Sequence, residues 1–495
     1  MTTPALKIAI VGAGISGLST YLFLQKLLPA STTHEILIFE TYPAPTRKER
    51  EAKHEEAERR DAASFIGGGL GVAPNGMHTL RELDPELHDA VVAQGYPVLR
   101  FQMKNSRNWS LGSMPTSDVS KEPPEVMVMS TRQGVWDCLR DRVPDDALRT
   151  GKTLVKVDRG PNIKPILHFA DGSKTNEFDL VIGADGVKSI VKNAIRDGDH
   201  QKPIYEGLCG IGGFVPSSYL PPIPPNHKLP APHSPVVMTF GAEGFFGYGP
   251  CEADIRATSP HLSTAEIKDN KAIPYGPRAM WWSTFSVEEP PALSKDIDKE
   301  AVYKQLRERH SKWQDPFIQK VLEDPSMFGM TATYVTPKLL TWTNDGVVLI
   351  GDAAHTLPST SGQGVSQALE DAHTLGLLLA HYLQDDSLSA SKMQQDDRTS
   401  HYAAQIAAAT TAFQIIRKPR VEQILDFSRR MGSRKKKMGP VGEWTTYAMM
   451  WAMCALVSGL KPSVPGKFDV HAETRKVIRD EDRKRKRNTA LAMMK

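Results

Sequence analysis

The 495-residue chain is poor in cysteine: Cys138, Cys209, Cys251 and Cys454 are the only four, and no two form a CxxC pair. That scarcity excludes a disulfide-stapled scaffold and argues against a cysteine-built zinc site, so no metal centre is expected; it fits a reducing cytoplasm. Charge of one sign is also lacking. The 61 Lys and Arg against 57 Asp and Glu leave +4, far from the surplus on which a dedicated nucleic-acid binder depends. No secretory leader is visible, because the first apolar run, Ala5 to Val11, is short and ends in glycines. The charge-free stretch Trp444 to Leu460 falls short of the ~20 apolar residues that span a bilayer. No repeat of solenoid period is present either.

What the chain does have is strand–turn–helix punctuation, repeated. The length allows about three domains. Lys7–Val11 reads as a buried strand, Gly12–Gly17 as a glycine turn, and Leu18 to Leu28 as a helix that Pro29 ends. Glu35–Glu40 then reads as a second strand ending in an acid. The turn carries GxGxxG at Gly12, Gly14 and Gly17. The first glycine permits the tight turn, the second lets backbone approach a pyrophosphate, and the third lets helix pack on strand. The helix N-terminus supplies unpaired N–H groups and a positive dipole end for phosphate. Glu40, 23 residues after Gly17, stands near the spacing at which an acid meets a ribose hydroxyl. This context makes a dinucleotide site the expectation, without choosing between NAD and FAD.

Two further strand ends carry acids. Asp179–Gly186 (DLVIGADG) ends in Asp185-Gly186, and Gly346–Asp352 (GVVLIGD) ends in Asp352. Ligands of doubly wound sheets gather at such carboxyl ends, so Gly12, Glu40, Asp185 and Asp352 fit one long cofactor. An amphipathic helix is expected over 130–143 with Ser130 or Thr131 as its cap, helix again over 299–323, and a long helix from Gly364 to Tyr382. Thr46–Ala62 is a polar run of mixed charge, read as a solvated insertion, and prolines crowd 216–235. Strand-like runs at Val236–Phe240, Phe245–Tyr248 and Met280–Phe285 mark a β-rich insert.

The segments GADGVKS (183–189) and GDAAHTLPSTSGQG (351–364), with the first glycine motif, resemble the FAD-dependent single-component aromatic hydroxylases, the p-hydroxybenzoate hydroxylase-like monooxygenases. The resemblance covers Lys7 to about Tyr382. It is strongest to the fungal monooxygenases that tailor secondary metabolites, on the Trp281-Trp282-Ser283-Thr284 strand and the GQGVSQALEDA helix start. It implies an α/β fold: a Rossmann-like FAD-binding domain of the p-hydroxybenzoate hydroxylase type, a β-rich substrate-binding insert and a C-terminal helical extension. The FAD domain is expected in three segments, 1–75, 129–198 and 331–400. Substrate segments are expected at 76–128 and 199–330, and a helical, partly basic extension at 401–495.

The resemblance also implies roles. Non-covalent FAD would be held by Gly12, Gly14, Gly17, Glu40, Arg132, Asp185, Gly186, Asp352 and Gln363. Pro358, Gly362 and Gly364 would line the reacting edge of the flavin. Lys192 stands where the family often carries arginine, which argues against a bidentate phosphate contact there. NADPH or NADH would supply hydride, and O2 would be activated as a flavin C4a-hydroperoxide that hydroxylates or epoxidises a small aromatic, polyketide or terpenoid-type substrate. Taken alone, Arg132 reads as a surface residue and Asp352 as a strand-end cap. His355 reads as a packed, structural histidine rather than a base. Phe245, Phe246, Tyr248, Trp281 and Trp282 read as core first; strand alternation keeps Trp281 and Trp282 from lining one pocket together.

Two other function classes share these features. One is an FAD oxidase, dehydrogenase or halogenase on the same fold, although the halogenase signature WxWxIP is absent. The other is a non-enzymatic lipid carrier of the GDI type, which the intact Asp185 and Asp352 segments oppose. No second GxGxxG unit for nicotinamide is evident. For 444–460, three readings stand open: a core or capping helix, an interfacial helix making peripheral membrane contact beside the basic runs 434–437 and 483–487, and a spanning helix. The expected partners are thus a small-molecule substrate and O2, with no nucleic acid, in the cytoplasm or on a membrane facing it.

Overall fold

Strands this rich in apolar residues need cover on both faces, and here helices and the two-stranded sheet Leu154–Gly160 and Ile163–Phe169 share one core with them. A computed structural model describes residues 6–30, 34–46, 48–49, 68–116, 125–161, 163–195, 203–223, 235–254, 273–289, 298–324, 329–358, 361–384, 395–432, 438–459 and 468–493. Its six-stranded sheet runs in the order Thr343–Asn344, Val347–Leu349, Leu180–Gly183, Leu6–Val11, His34–Phe39, Leu148–Arg149. All neighbours are parallel except the first pair. Ile8, Ala9 and Ile10 have no exposed surface. Their register, Ile8 opposite Ile36 and Leu180, brings the ends of three strands to one edge. The helices Ile15–Leu27 and Gly364–Gln384 lie against each other beside this sheet, with Gly376 closing on Phe23 and Leu27.

A seven-stranded sheet follows the order Gly329–Val335, Ile204–Pro216, Arg278–Ser286, Gly244–Pro250, Val236–Gly241, Arg100–Asn105, Ser110–Pro115. It is antiparallel except where Val236–Gly241 meets Arg100–Asn105. One face carries Trp281, Phe285, Phe246 and Tyr248 under the helices Lys299–His310 and Pro316–Glu323. Phe245 lies on the opposite face, and Met280 there reaches Gly69 of a three-stranded sheet formed by Gly69–Val72, Met127–Thr131 and Tyr96–Val98. Trp281 stacks on Phe246 (5.6 Å) while Trp282 tilts against Phe245 (6.3 Å), so the two tryptophans do part to opposite faces.

Two helical expectations are corrected. The stretch 299–323 is two helices, because Asp315 accepts from the Phe317 N–H (3.0 Å) as a cap and Pro316 starts a new helix. The 130–143 helix begins only at Arg132 and ends at Arg140; Met127–Thr131 is strand, and Thr131 Oγ1 caps the helix by accepting from Gly134 N (3.0 Å). Most of the polar run 46–62 and the proline-rich 224–234 fall outside the described residues.

The C-terminal segment forms helices Gln395–Gly432, Pro440–Gly459 and Val470–Met493. Among the described residues no helix is long and apolar enough to cross a membrane, so the spanning reading of 444–460 is withdrawn. Helix Pro440–Gly459 buries Tyr447, Met450 and Cys454 against Met103, Leu111, Phe240 and Phe245 of the large sheet. Gly112 receives it closely: a Cβ there would lie 2.5 Å from the Cys454 Cβ.

Candidate functional site

The glycine turn sits where the ends of strands Leu6–Val11, His34–Phe39 and Leu180–Gly183 converge. Gly12 has φ +103°, and a Cβ on it would meet the Ala184 carbonyl oxygen at 2.5 Å. A Cβ on Gly17 would lie 1.9 Å from the Gly12 carbonyl oxygen, which is the close helix–strand approach expected of that position. Gly14 opens helix Ile15–Leu27 without a side-chain cap, and nothing stands within 4 Å of its Cβ position. The first N–H groups of this helix thus have no side-chain cap. Glu40 follows the second strand, and its carboxylate accepts from Ala13 N (2.7 Å) and Tyr42 N (2.9 Å). Trp136 Nε1 donates to the Ala13 carbonyl (2.7 Å), fastening the Arg132–Arg140 helix to the turn.

Asp185 leaves the strand Leu180–Gly183 and turns back on the chain. Its Oδ2 accepts from Ile190 N (2.7 Å) and Val191 N (3.1 Å), while Oδ1 is buried with no partner among the described residues. Burial raises this carboxyl, against the hydrogen bonds from Ser189, Val191 and Ile190. Gly186 (φ +77°) has open space beside it. Lys192 is buried and donates to the Val187 carbonyl (3.3 Å), a structural contact that supports reading it as no phosphate fork.

The turn at Gly351 closes the constellation. Gly351 (φ +55°) presses on Ser16 of the first helix, whose Oγ would be 2.7 Å from an added Cβ; that Oγ is itself buried with no partner among the described residues. Asp352 opens onto the groove, yet protein on most sides strips enough water to raise its carboxyl, against the pull of His355, Arg132 and Lys192. Arg132, exposed at the start of its helix, thus comes within electrostatic reach of Asp352 although 220 positions separate them. His355 is packed: its Nε2 meets Asp371 Oδ2 at 2.5 Å and its ring tilts against Trp342.

The segment after Pro358 forms an open platform. Pro358 is buried and its carbonyl accepts from Ser361 N (2.9 Å). Gly362 (φ +60°) and Gly364 are exposed with nothing within 4 Å of either Cβ position. Gln363 is oriented by Asn75, whose Nδ2 donates to Gln363 Oε1 (3.3 Å) and to Glu370 (2.6 Å). Gly364 then begins a 21-residue helix with its positive dipole end at this platform.

Two orphaned buried oxygens, on Ser16 and Asp185, and four unfilled glycine positions, at 14, 186, 362 and 364, thus surround one groove, and these residues fit an elongated phosphate-bearing cofactor. Sequence reasoning missed the residues behind the groove. Arg417 has no exposed surface; its Nε donates to Asp371 (2.7 Å), another nitrogen contacts Glu370, and Nη2 donates to Gln367 Oε1 (2.7 Å). Asp371 in turn accepts from Gly351 N (2.8 Å). The adjacent acids Glu370-Asp371 in an otherwise apolar helix were the available signal, since buried carboxylates require a cation.

Comparison with known proteins agrees with this geometry. Residues 157–410 match the family described as FAD binding domain. A curated relative, the 3-amino-4-hydroxybenzoate 2-monooxygenase of Streptomyces cremeus, is 27% identical over 379 residues, covering 75% of this chain and 77% of its own. The 6-methylsalicylate 1-monooxygenase of Aspergillus terreus is 23% identical over 388 residues, 75% and 74% of the two chains. Among solved structures, Klebsiella pneumoniae HpxO complexed with FAD and uric acid superposes with a TM-score of 0.65 at 18% identity, covering 92% of this chain and 95% of that one; it shows the shared fold.

Proposed function

Because the chain belongs to the FAD binding domain family of FAD-dependent monooxygenases, we propose that it uses NAD(P)H and O2 to hydroxylate or epoxidise a small aromatic, polyketide or terpenoid-type substrate in secondary-metabolite biosynthesis. The observation that carries the proposal is the convergence of the Gly12–Gly17 turn, the Asp185 and Asp352 strand ends and the open Gly362–Gly364 platform around one groove. FAD, when bound, supplies hydride acceptance from the nicotinamide and activation of oxygen.

The chain's own residues bind, orient and exclude water. The uncapped N-terminus at Gly14 would receive the pyrophosphate, with the Arg132 guanidinium opposing its charge. A carboxylate offers about four lone-pair sites, so Glu40, with two taken by backbone N–H groups, retains acceptors for a ribose hydroxyl. Asp352 and Asp185-Gly186 would hold the adjoining chain. The Gly364 helix end favours negative charge at the platform. Pro358, buried, walls that platform against water. His355 takes no part in the chemistry of this scheme; its contact with Asp371, which also holds the Gly351 N–H, keeps the Gly351 turn in place. The large-sheet face bearing Met280 and Trp282, which meets the Gly69 strand, is the proposed substrate wall. No disulfide joins the four cysteines, which supports work in a reducing compartment such as the cytoplasm.

The test is product mass spectrometry after NADPH- and NADH-driven turnover with phenolic, polyketide, indole and prenylated compounds. A product gaining one oxygen, derived from labelled O2, is expected. Nicotinamide oxidation that yields only hydrogen peroxide across the panel would point to an oxidase, and protein purified without flavin would remove the enzyme reading.

A further inference from the structure

Helix Pro440–Gly459 has two apolar faces, and the large sheet covers only one. The other presents Val441, Trp444, Ala448, Trp451 and Ala455, spaced 3, 4, 3 and 4 apart, so that they form one stripe along the helix. Met449 and Leu456 flank it; Trp451 is 62% exposed, Leu456 66% and Trp444 48%. A third tryptophan, Trp109, comes from the turn after Asn105, is 56% exposed, and lies 6.4 Å from the Trp444 ring. The helix has one charged residue, Glu443, and it is turned inward: its Oε1 meets the Tyr447 hydroxyl and lies 3.3 Å from Ser106 Oγ.

We infer that this stripe docks on the headgroup–acyl boundary of an anionic bilayer, the helix lying in the plane of the surface. Three observations select that occupant. Tryptophan is the side chain that favours the membrane–water boundary, and here three cluster on one exposed patch. Arg107 stacks over both Trp444 (4.9 Å) and Trp109 (5.8 Å), placing a guanidinium at the edge of the patch, where lipid phosphates would lie. In the sequence the chain enters this helix through Arg434, Lys435, Lys436 and Lys437, four consecutive bases. The reading deepens the peripheral membrane contact suggested by the sequence and does not depend on the reaction catalysed.

Holoenzyme is sedimented with phosphatidylcholine vesicles with and without phosphatidylserine, at low and high salt, beside the variant Trp444→Ser/Trp451→Ser. Both side chains are solvent-exposed, so flavin content and unfolding midpoint serve as folding controls and are expected to match the parent. The parent should pellet with phosphatidylserine vesicles, less at high salt, and the variant at least about ten-fold less. Absence of parent binding, or equal binding by the folded variant, overturns the inference. Loss of a parent dimer in the variant, without vesicle binding by either, overturns it in favour of a second copy.

Discussion

Replacing Arg417 by methionine keeps most of the side-chain volume and removes a cation that has no exposed surface. Glu370 then keeps Arg420, at 3.6 Å, as a cation beside its hydrogen bond from Asn75, and Asp371 keeps His355 and the Gly351 N–H. Removing one partner of a buried ion pair costs about 3–5 kcal/mol, because the remaining charge is stranded away from water. Against a typical total of ~5–15 kcal/mol, that is a large fraction. The damage is directed: Asp371 also holds the Gly351 N–H, so the cofactor groove loosens with the core. Urea unfolding followed by tryptophan fluorescence should show the loss, with flavin released at a lower urea concentration than in the parent. Adding Glu370→Gln and Asp371→Asn to Arg417→Met removes the stranded charges and should recover at least half of it. The pH dependence has a definite sign. In the parent, burial raises the Asp371 carboxyl but His355 and Arg417 outweigh it, so it lies below its usual range. Its stabilising contribution is therefore present above the unfolded carboxylate range and lost only as pH falls through the lower folded value. Without Arg417, burial is less opposed and protonation relieves the cost, so the gap between variant and parent narrows as pH falls toward about 4. A loss below ~1 kcal/mol at pH 7, the level of an exposed pair, would refute this account of the network.

The two cradle glycines should separate fold from binding: Gly17→Ala meets a backbone oxygen at 1.9 Å and should unfold the turn, whereas Gly14→Ala meets nothing and should leave the apo unfolding midpoint unchanged while weakening FAD binding at least about ten-fold, both checked by flavin titration and thermal melts. Trp281→Ala, in the helix-covered core, should cost about 3–5 kcal/mol of stability, whereas Trp282→Ala should cost less and shift KM or product distribution between substrates. His373 stacks on Phe23 and is held neutral down to about 3 by burial and the neighbouring His471, His78 and Lys26, with Asp469 opposing. A histidine with a depressed folded value costs stability as pH falls below its unfolded value of about 6.5, by up to ~1.4 kcal/mol per pH unit, so His373→Phe should flatten the stability profile between that pH and about 4.

The dinucleotide half of the fold was legible because a strand buried on both faces is predominantly apolar, and Leu6–Val11, Leu180–Gly183 and Val347–Leu349 each lead within two residues to a glycine or an acid at the edge where ligands gather. Arg417 was not legible. It is one base among several on a mixed helix, and only the tertiary fold carries it 46 positions back to Asp371. The same holds for Asn75 and Gln363, 288 positions apart. The break at Asp315-Pro316 is different, because it carries its own signal in the sequence: an acid that caps, followed by a proline that starts a helix.

Helix Pro440–Gly459 shows what composition alone leaves open. A helix apolar all round is ordinarily buried all round, in a core or in lipid. It is not long and apolar enough to span a bilayer, and the sheet buries Tyr447, Met450 and Cys454 while Trp444 and Trp451 stay largely exposed. No periodicity argument distinguishes these two sets, because both are apolar. Only the side taken by Glu443 and the seat at Gly112 decide which face turns inward. The same packing that settles the buried face is what leaves a row of tryptophans in water, and an arginine stacked on them makes an anionic surface the environment that satisfies both.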